Sequence, residues 1–362
     1  MNAGRKPTTL TLLTSYQCTA ACENCCFASH PGIAEKLPLW RMLDAIEQAA
    51  EMPSMKLVVF SGGECFMLED ELVVAVARCT ERGLASRCVT NGYWAKSAQA
   101  AHARLEPLYR AGLREINLST GDHHQQFVPV ERIAYGAAAA IRLGMNAVVV
   151  VEREMDRTFH AQGLLSHPEM AAIRDHPNLI VFDSPWMAME DRNSVRHGPA
   201  SLTNHLNIHR RAPCESVLDT MVVNPRGEVG ACCGLTREQI PEMQIGSLQD
   251  ATLVELAEAA GNDFLKIWLA VEGPEHILAW ASTIDPRIDW ENRFNHHCDA
   301  CRALYDDALV RDVLAHHWRE RRDDVLYRYR LAHQKPEAEW PDQSSRHAPI
   351  ASSRQEAMDH AR

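Results

Sequence analysis

The chain has 362 residues, an apolar share of 46% and a net charge of −11 from 48 acidic and 37 basic residues. It is long enough for one large and one smaller domain and poorly suited to bulk nucleic-acid binding. No apolar run approaches the ~20 residues of a membrane span, the opening MNAGRKPTT lacks a secretory signal, which points to the cytoplasm, and twelve cysteines there indicate metal or redox chemistry rather than disulfides.

A first strand is expected at 8–14, TTLTLLT, followed at once by Cys18, Cys22 and Cys25. Further strand-like runs lie at 56–61, 85–91, 114–120, 145–152 and 178–184, with helix-like stretches at 39–51, 69–82, 95–111, 130–143 and 161–175 between them. This alternation predicts an α/β fold, with parallel strands joined by crossover helices. Six such units make a partial (β/α)6 barrel, open on one side, whose ligands bind at the carboxyl ends of the strands. The core is assigned to 1–190 and a Pro- and Gly-containing connector to 191–213. A small α/β extension follows at 214–305. An apolar stripe through Leu309, Val313, Leu314, Trp318, Val325 and Tyr329 predicts one helix over 306–333. The Pro-, Ser- and charge-rich stretch 334–362 predicts a disordered tail.

The spacing C-x3-C-x2-C places three thiols on one loop. Three thiolates suit three irons of a cubane [4Fe–4S] cluster and leave the fourth iron open to a ligand. Structural zinc is the rival, but it takes four ligands, commonly as two spaced pairs, and no second pair lies near. An odd triplet does not pair into disulfides.

The second strand runs into Ser61, Gly62, Gly63 and Glu64. Glycines at a strand end let the backbone approach a ligand, and a glutamate can accept from an ammonium group. A cysteine triplet after the first strand and Gly-Gly-Glu after the second resemble the radical S-adenosylmethionine (SAM) superfamily, over residues 9–190. The resemblance implies that Cys18, Cys22 and Cys25 hold the cluster and that SAM chelates its open iron. Gly62, Gly63 and Glu64 would then meet the methionyl amino group. It also implies cleavage of SAM to methionine and a 5′-deoxyadenosyl radical, fed by an external donor of flavodoxin or ferredoxin type. Asn91 in the Thr90-Asn91-Gly92 turn, and Ser119 and Asp122 after the fourth strand, would lie at SAM; a turn cap accounts equally for the last two. The tandem His123-His124 reads as structural or as substrate-facing. Where many members carry an aromatic residue before the third cysteine, this chain has Asn24.

Cys214, Gly227 and Cys232 form C-x12-G-x4-C, and Cys298 and Cys301 add C-x2-C. This resembles the SPASM extension of radical SAM enzymes. No cysteine follows Cys301, so the resemblance is to a shortened, twitch-like version with one auxiliary [4Fe–4S] cluster on Cys214, Cys232, Cys298 and Cys301. A tetrathiolate zinc site is the plainer alternative. Cys233 could replace Cys232 as ligand, donate a hydrogen atom to a product radical, or simply pack.

By resemblance the protein is a radical SAM oxidoreductase that matures a ribosomally synthesised peptide by crosslinking, epimerisation or oxidation. A dehydrogenase or epimerase of a sugar or aminocyclitol is the alternative. Because the first strand begins so early, a separate leader-peptide-binding protein is expected for a peptide substrate. A non-catalytic iron–sulfur or zinc scaffold is the reading of another class, but it has no use for an open iron.

Overall fold

A computed structural model describes residues 4–189 and 194–333; the expected tail at 334–362 lies outside the described residues. Six strands, β1 (Thr9–Leu13), β2 (Leu57–Ser61), β3 (Ala85–Thr90), β4 (Glu115–Thr120), β5 (Asn146–Arg153) and β6 (Leu179–Pro185), pair in parallel, each with the next. Between them run α1 (Leu39–Ala50), α2 (Asp70–Glu81), α3 (Ala98–Ala111), α4 (Asp122–Gln125), α5 (Val130–Arg142), α6 (Ala161–Leu165) and α7 (Pro168–Ala171).

Strand alternation divides the side chains. Leu10, Leu12, Val58 and Phe60 face the helices and are fully buried with Met42, Ala45, Ile46 and Ala49, the i, i+3, i+4, i+7 stripe of α1. Burying a side chain such as Phe60 contributes about 1.5–3 kcal/mol. Thr9, Thr11, Leu13, Val59, Arg87 and Asn117 turn the other way and line a cavity of about 300 Å³ on the concave side of the sheet.

Beyond the connector, β7 (Thr220–Val223) pairs in parallel with the free side of β1, and β8 (Glu228–Gly230) and β9 (Gln244–Ser247) extend the sheet antiparallel. One nine-stranded, mostly parallel sheet therefore runs β6-β5-β4-β3-β2-β1-β7-β8-β9. Helices α8 (Leu253–Ala260), α9 (Phe264–Glu272), α10 (Pro274–Ile284), α11 (His297–Asp306), α12 (Ala308–His317) and α13 (Arg319–His333) follow. A second core forms there around Trp268, Leu278, Phe294 and Leu304.

Two expected helices are divided. The stretch 161–175 is α6 and α7, because Pro168 drives His167 into an extended conformation, and the His167 ring then caps α7 through Glu169 N. The stretch 306–333 is the end of α11 followed by α12 and α13, with Asp307 extended and its carboxylate accepting from Leu309 N and Val310 N. Among the described residues, no helix is long and apolar enough to cross a membrane.

Candidate active site

The loop after β1 is held against the turn after β2 by backbone contacts. Gly63 N donates to Ser15 O at 2.6 Å and Glu64 N to Gln17 O at 3.0 Å. A Cβ at position 63 would lie 2.1 Å from Gln17 O, and one at 62 would lie 2.5 Å from Ser15 O on a backbone already at φ +121°. Both positions therefore require glycine, and what they accommodate is the backbone that leads to the cysteines.

Cys18, Cys22 and Cys25 line one cavity of about 320 Å³, together with Gly62, Gly63, Asn91, Ser119, Thr120, His124, Glu152 and Trp186. That volume lies in the range of small-molecule sites. Burial pushes the Cys18 thiol up to about 11 and the Cys22 thiol up to about 12, whereas a hydrogen bond from Cys26 holds Cys25 at about 5. Asn91 Nδ2 donates to Cys18 Sγ at 3.5 Å and to Thr19 Oγ1 at 3.1 Å. The donor set, three thiols at one cavity, suits iron and sulfide, and binding would release the protons that burial keeps on Cys18 and Cys22. Thr120 Oγ1 and Trp186 Nε1 are buried with no hydrogen-bond partner among the described residues, as a site for a polar ligand would leave them.

Two sequence candidates are turned elsewhere. Glu64 is fully buried, outside the cavity wall, and accepts from Phe66 N at 3.0 Å, Thr90 Oγ1 at 2.7 Å and Asn91 N at 2.8 Å. Burial outweighs those bonds and raises its carboxyl to about 7. Its work in this structure is to tie the β2 turn to the β3 turn. Asp122 accepts from Thr158 N at 2.5 Å, Thr158 Oγ1 at 2.8 Å and Phe159 N at 3.0 Å. Burial would raise its carboxyl, but these bonds prevail and hold it below the usual range. Ser119 stays on the cavity wall.

Cys214, Cys232, Cys298 and Cys301 gather beside the second core, where burial raises each thiol; Cys214 and Cys232 raise Cys298 further, those three raise Cys301, and Cys233 lies near enough to raise both Cys214 and Cys232. A Cβ at Gly234 would stand 3.1 Å from Cys298 Sγ and 3.5 Å from Cys232 Sγ, so glycine there leaves room at the sulfurs. Four thiols gathered in one place fit a fully ligated cluster. Neither cysteine group closes on a single ion: among the described residues, no three His, Cys, Asp or Glu side chains have the spacing one metal ion would impose. Cys233 departs from its neighbour. It is exposed and lies on the wall of the cavity that holds Cys18, Cys22 and Cys25.

The chain matches no protein-family model. Over 122 residues it is 20% identical to YydG of Bacillus subtilis (strain 168), a protein provisionally assigned to peptide biosynthesis; the match covers 33% of this chain and 38% of YydG. Its fold superposes on native anSMEcpe with bound AdoMet and the Cp18Cys peptide at a TM-score of 0.52 and 12% identity, over 90% of this chain and 99% of that one. The chain has the radical SAM fold. BtrN in complex with AdoMet and 2-DOIA also superposes, at a TM-score of 0.45 and 11% identity, over 81% of this chain and 98% of that one.

Within the radical SAM fold, residues without a motif complete the cavity. Glu152, near the end of β5, is buried and accepts from His123 N at 2.8 Å and His124 N at 3.2 Å, and it pairs with His124 Nδ1. Trp186 follows β6 directly and stacks on His123 with ring centroids 5.0 Å apart. The rule that ligands meet strand ends points to both positions; no spacing marks them.

Proposed function

We propose that this chain is a radical SAM enzyme that inverts an unactivated carbon in a ribosomally synthesised peptide, with Cys233 returning the hydrogen. The divergence of two adjacent cysteines carries this reading: Cys232 is buried near Cys214 and Cys298, while Cys233 is exposed on the wall of the cavity of the other three. Cys18, Cys22 and Cys25 would hold a [4Fe–4S] cluster, and Gly62, Gly63, Asn91, Ser119 and the His124–Glu152 pair would surround SAM. Cys214, Cys232, Cys298 and Cys301 would hold an auxiliary [4Fe–4S] cluster; a cube of iron and sulfide needs its thiolates farther apart than one tetrahedral zinc does. YydG's assignment and the peptide on anSMEcpe support a peptide substrate. An external flavodoxin- or ferredoxin-type donor, a separate leader-peptide-binding protein and a cytoplasmic location belong to the same reading.

When bound, the cluster and SAM supply the 5′-deoxyadenosyl radical that removes one hydrogen atom from the substrate. The Cys233 thiol then gives its hydrogen atom to the carbon radical, because its S–H bond is weaker than most C–H bonds. The S–H bond breaks, a C–H bond forms, and a thiyl radical stays on Cys233. One electron from the external donor and one proton restore the thiol. Ser216 Oγ lies 3.2 Å from Cys233 Sγ and accepts from Cys233 N at 2.9 Å, which fixes the thiol on the wall. Trp186, Met187, Met189 and Leu235 make the surrounding wall largely apolar and limit water at the substrate radical.

Turnover in deuterated water tests this. An unchanged mass apart from one solvent deuterium, lost in Cys233→Ala, is the expected result. A product two hydrogens lighter, indifferent to that substitution, would instead make the enzyme a dehydrogenase or crosslinking catalyst.

A further inference from the structure

The two cysteine sites are joined mechanically through three residues of the cavity wall. Met187 and Met189 line the cavity of Cys18, Cys22 and Cys25, and Met187 and Ala188 also line a neighbouring cavity of about 470 Å³. From one side the wall is held by Asn24, which sits between Cys22 and Cys25 at φ +60°. Its Oδ1 accepts from Met189 N at 2.9 Å. From the other side it is held by Arg302, which follows Cys301 on α11 and is 5% exposed. One guanidinium nitrogen donates to Met189 O at 2.9 Å and to Gln239 Oε1 at 2.8 Å. The other donates to Ala188 O at 3.0 Å and to Asp299 Oδ1 at 2.7 Å. Gln239 Nε2 adds a bond to Met189 O at 3.1 Å.

Two carbonyls of the wall, those of Ala188 and Met189, and the Met189 amide are thus taken up by residues that flank cysteines of opposite sites. The planar fork of arginine meets two successive carbonyls and a carboxylate at once, which a lysine ammonium cannot do. We propose that Arg302 and Asn24 are positioning residues that couple the sites, so that ligation on α11 fixes the wall and thereby tightens SAM binding beside Cys18, Cys22 and Cys25. This rests on the functional reading above. A contact chain becomes coupling only if a change at one end moves affinity at the other.

The test is the SAM dissociation constant of reconstituted protein, with the electron paramagnetic resonance signal of the reduced SAM-site cluster as a second readout. Replacing Cys298 and Cys301 together by Ala should weaken SAM binding about tenfold, within the usual span of coupled sites. Arg302→Gln should weaken it to the same degree with all iron retained, and combining the changes should add little, because they interrupt one connection. Asn24→Gly keeps the backbone at positive φ while deleting the side chain; it should weaken SAM about fivefold, the worth of one hydrogen bond, and alter the SAM-induced change in the spectrum. Asn24→Gly, which leaves the second core untouched, decides the matter should Arg302→Gln fail to fold. Wild-type affinity and spectrum in both variants, or full additivity with the cysteine changes, would overturn the coupling while leaving the functional reading intact. Wild-type protein that binds neither iron at Cys18, Cys22 and Cys25 nor SAM would overturn both.

Discussion

Cys18, Cys22 and Cys25 come from eight consecutive residues of one loop and line an open cavity, whereas Cys214, Cys232, Cys298 and Cys301 are drawn from distant points in the chain to the second core, Cys232 buried and the other three half-buried. The first group can be assembled by local chain geometry, with the loop backbone fitted against Gly62 and Gly63. The second exists only after β7, β8 and α11 have packed. Three donors at an open cavity leave room for a reacting ligand, and four donors close a cluster's ligand set. On the proposed function, the contrast separates a group that admits a molecule from one that holds its own position. Cys233, one residue from the closed group yet facing the open one, stands where they meet.

The largest effect should come from the open group. Replacing Cys18, Cys22 and Cys25 together by Ala should remove about half the iron of a protein holding two four-iron clusters and all SAM cleavage, while the second cluster's absorption remains. Iron analysis and assay of 5′-deoxyadenosine check this, and cleavage at the wild-type rate would break the distinction. Replacing Cys214, Cys298 and Cys301 should keep cleavage at saturating SAM but abolish formation of modified product. Full product formation would reduce the closed group to a structural role.

A smaller effect concerns the seam beneath the open group. Glu64 is fully buried with its carboxyl raised from 4.5 to about 7. A raised folded-state value means that the neutral form favours the fold. That contribution is complete below about pH 4.5 and is lost as pH rises through about 7, a change on the order of 3 kcal/mol. Chemical denaturation of the apoprotein at pH 5 and pH 8 should therefore show the wild type losing stability relative to Glu64→Gln at the higher pH. An equal difference at both pH values would mean that Glu64 is ionised throughout.

How much of this was legible in the sequence follows the same contrast. The six core strands lie within a residue or two of their expected ends, because apolar alternation and crossover helices are local patterns. The cysteine triplet and the two glycines are local as well. Glu152 and Trp186 escaped because each is a single residue at a strand end, recognisable only once His124 and the cavity lie beside it. Glu64 and Asp122 carried the right residue types at the right ends. Their orientation depends on Thr90 and Thr158, which no spacing rule links to them. The break of the helix expected at 161–175 was readable in principle from Pro168.

The pairing of β1 with β7 bears on how the molecule could be divided. A chain cut at residue 213 would keep the entire six-stranded core yet uncover one flank of Thr9–Leu13, a short run of largely buried residues whose backbone groups on that side would lose Thr220–Val223. Such a bare, apolar margin invites strands from other molecules. The excised core should self-associate rather than persist as a monomer, so the β7–β8 hairpin also serves to keep neighbouring copies from joining at β1.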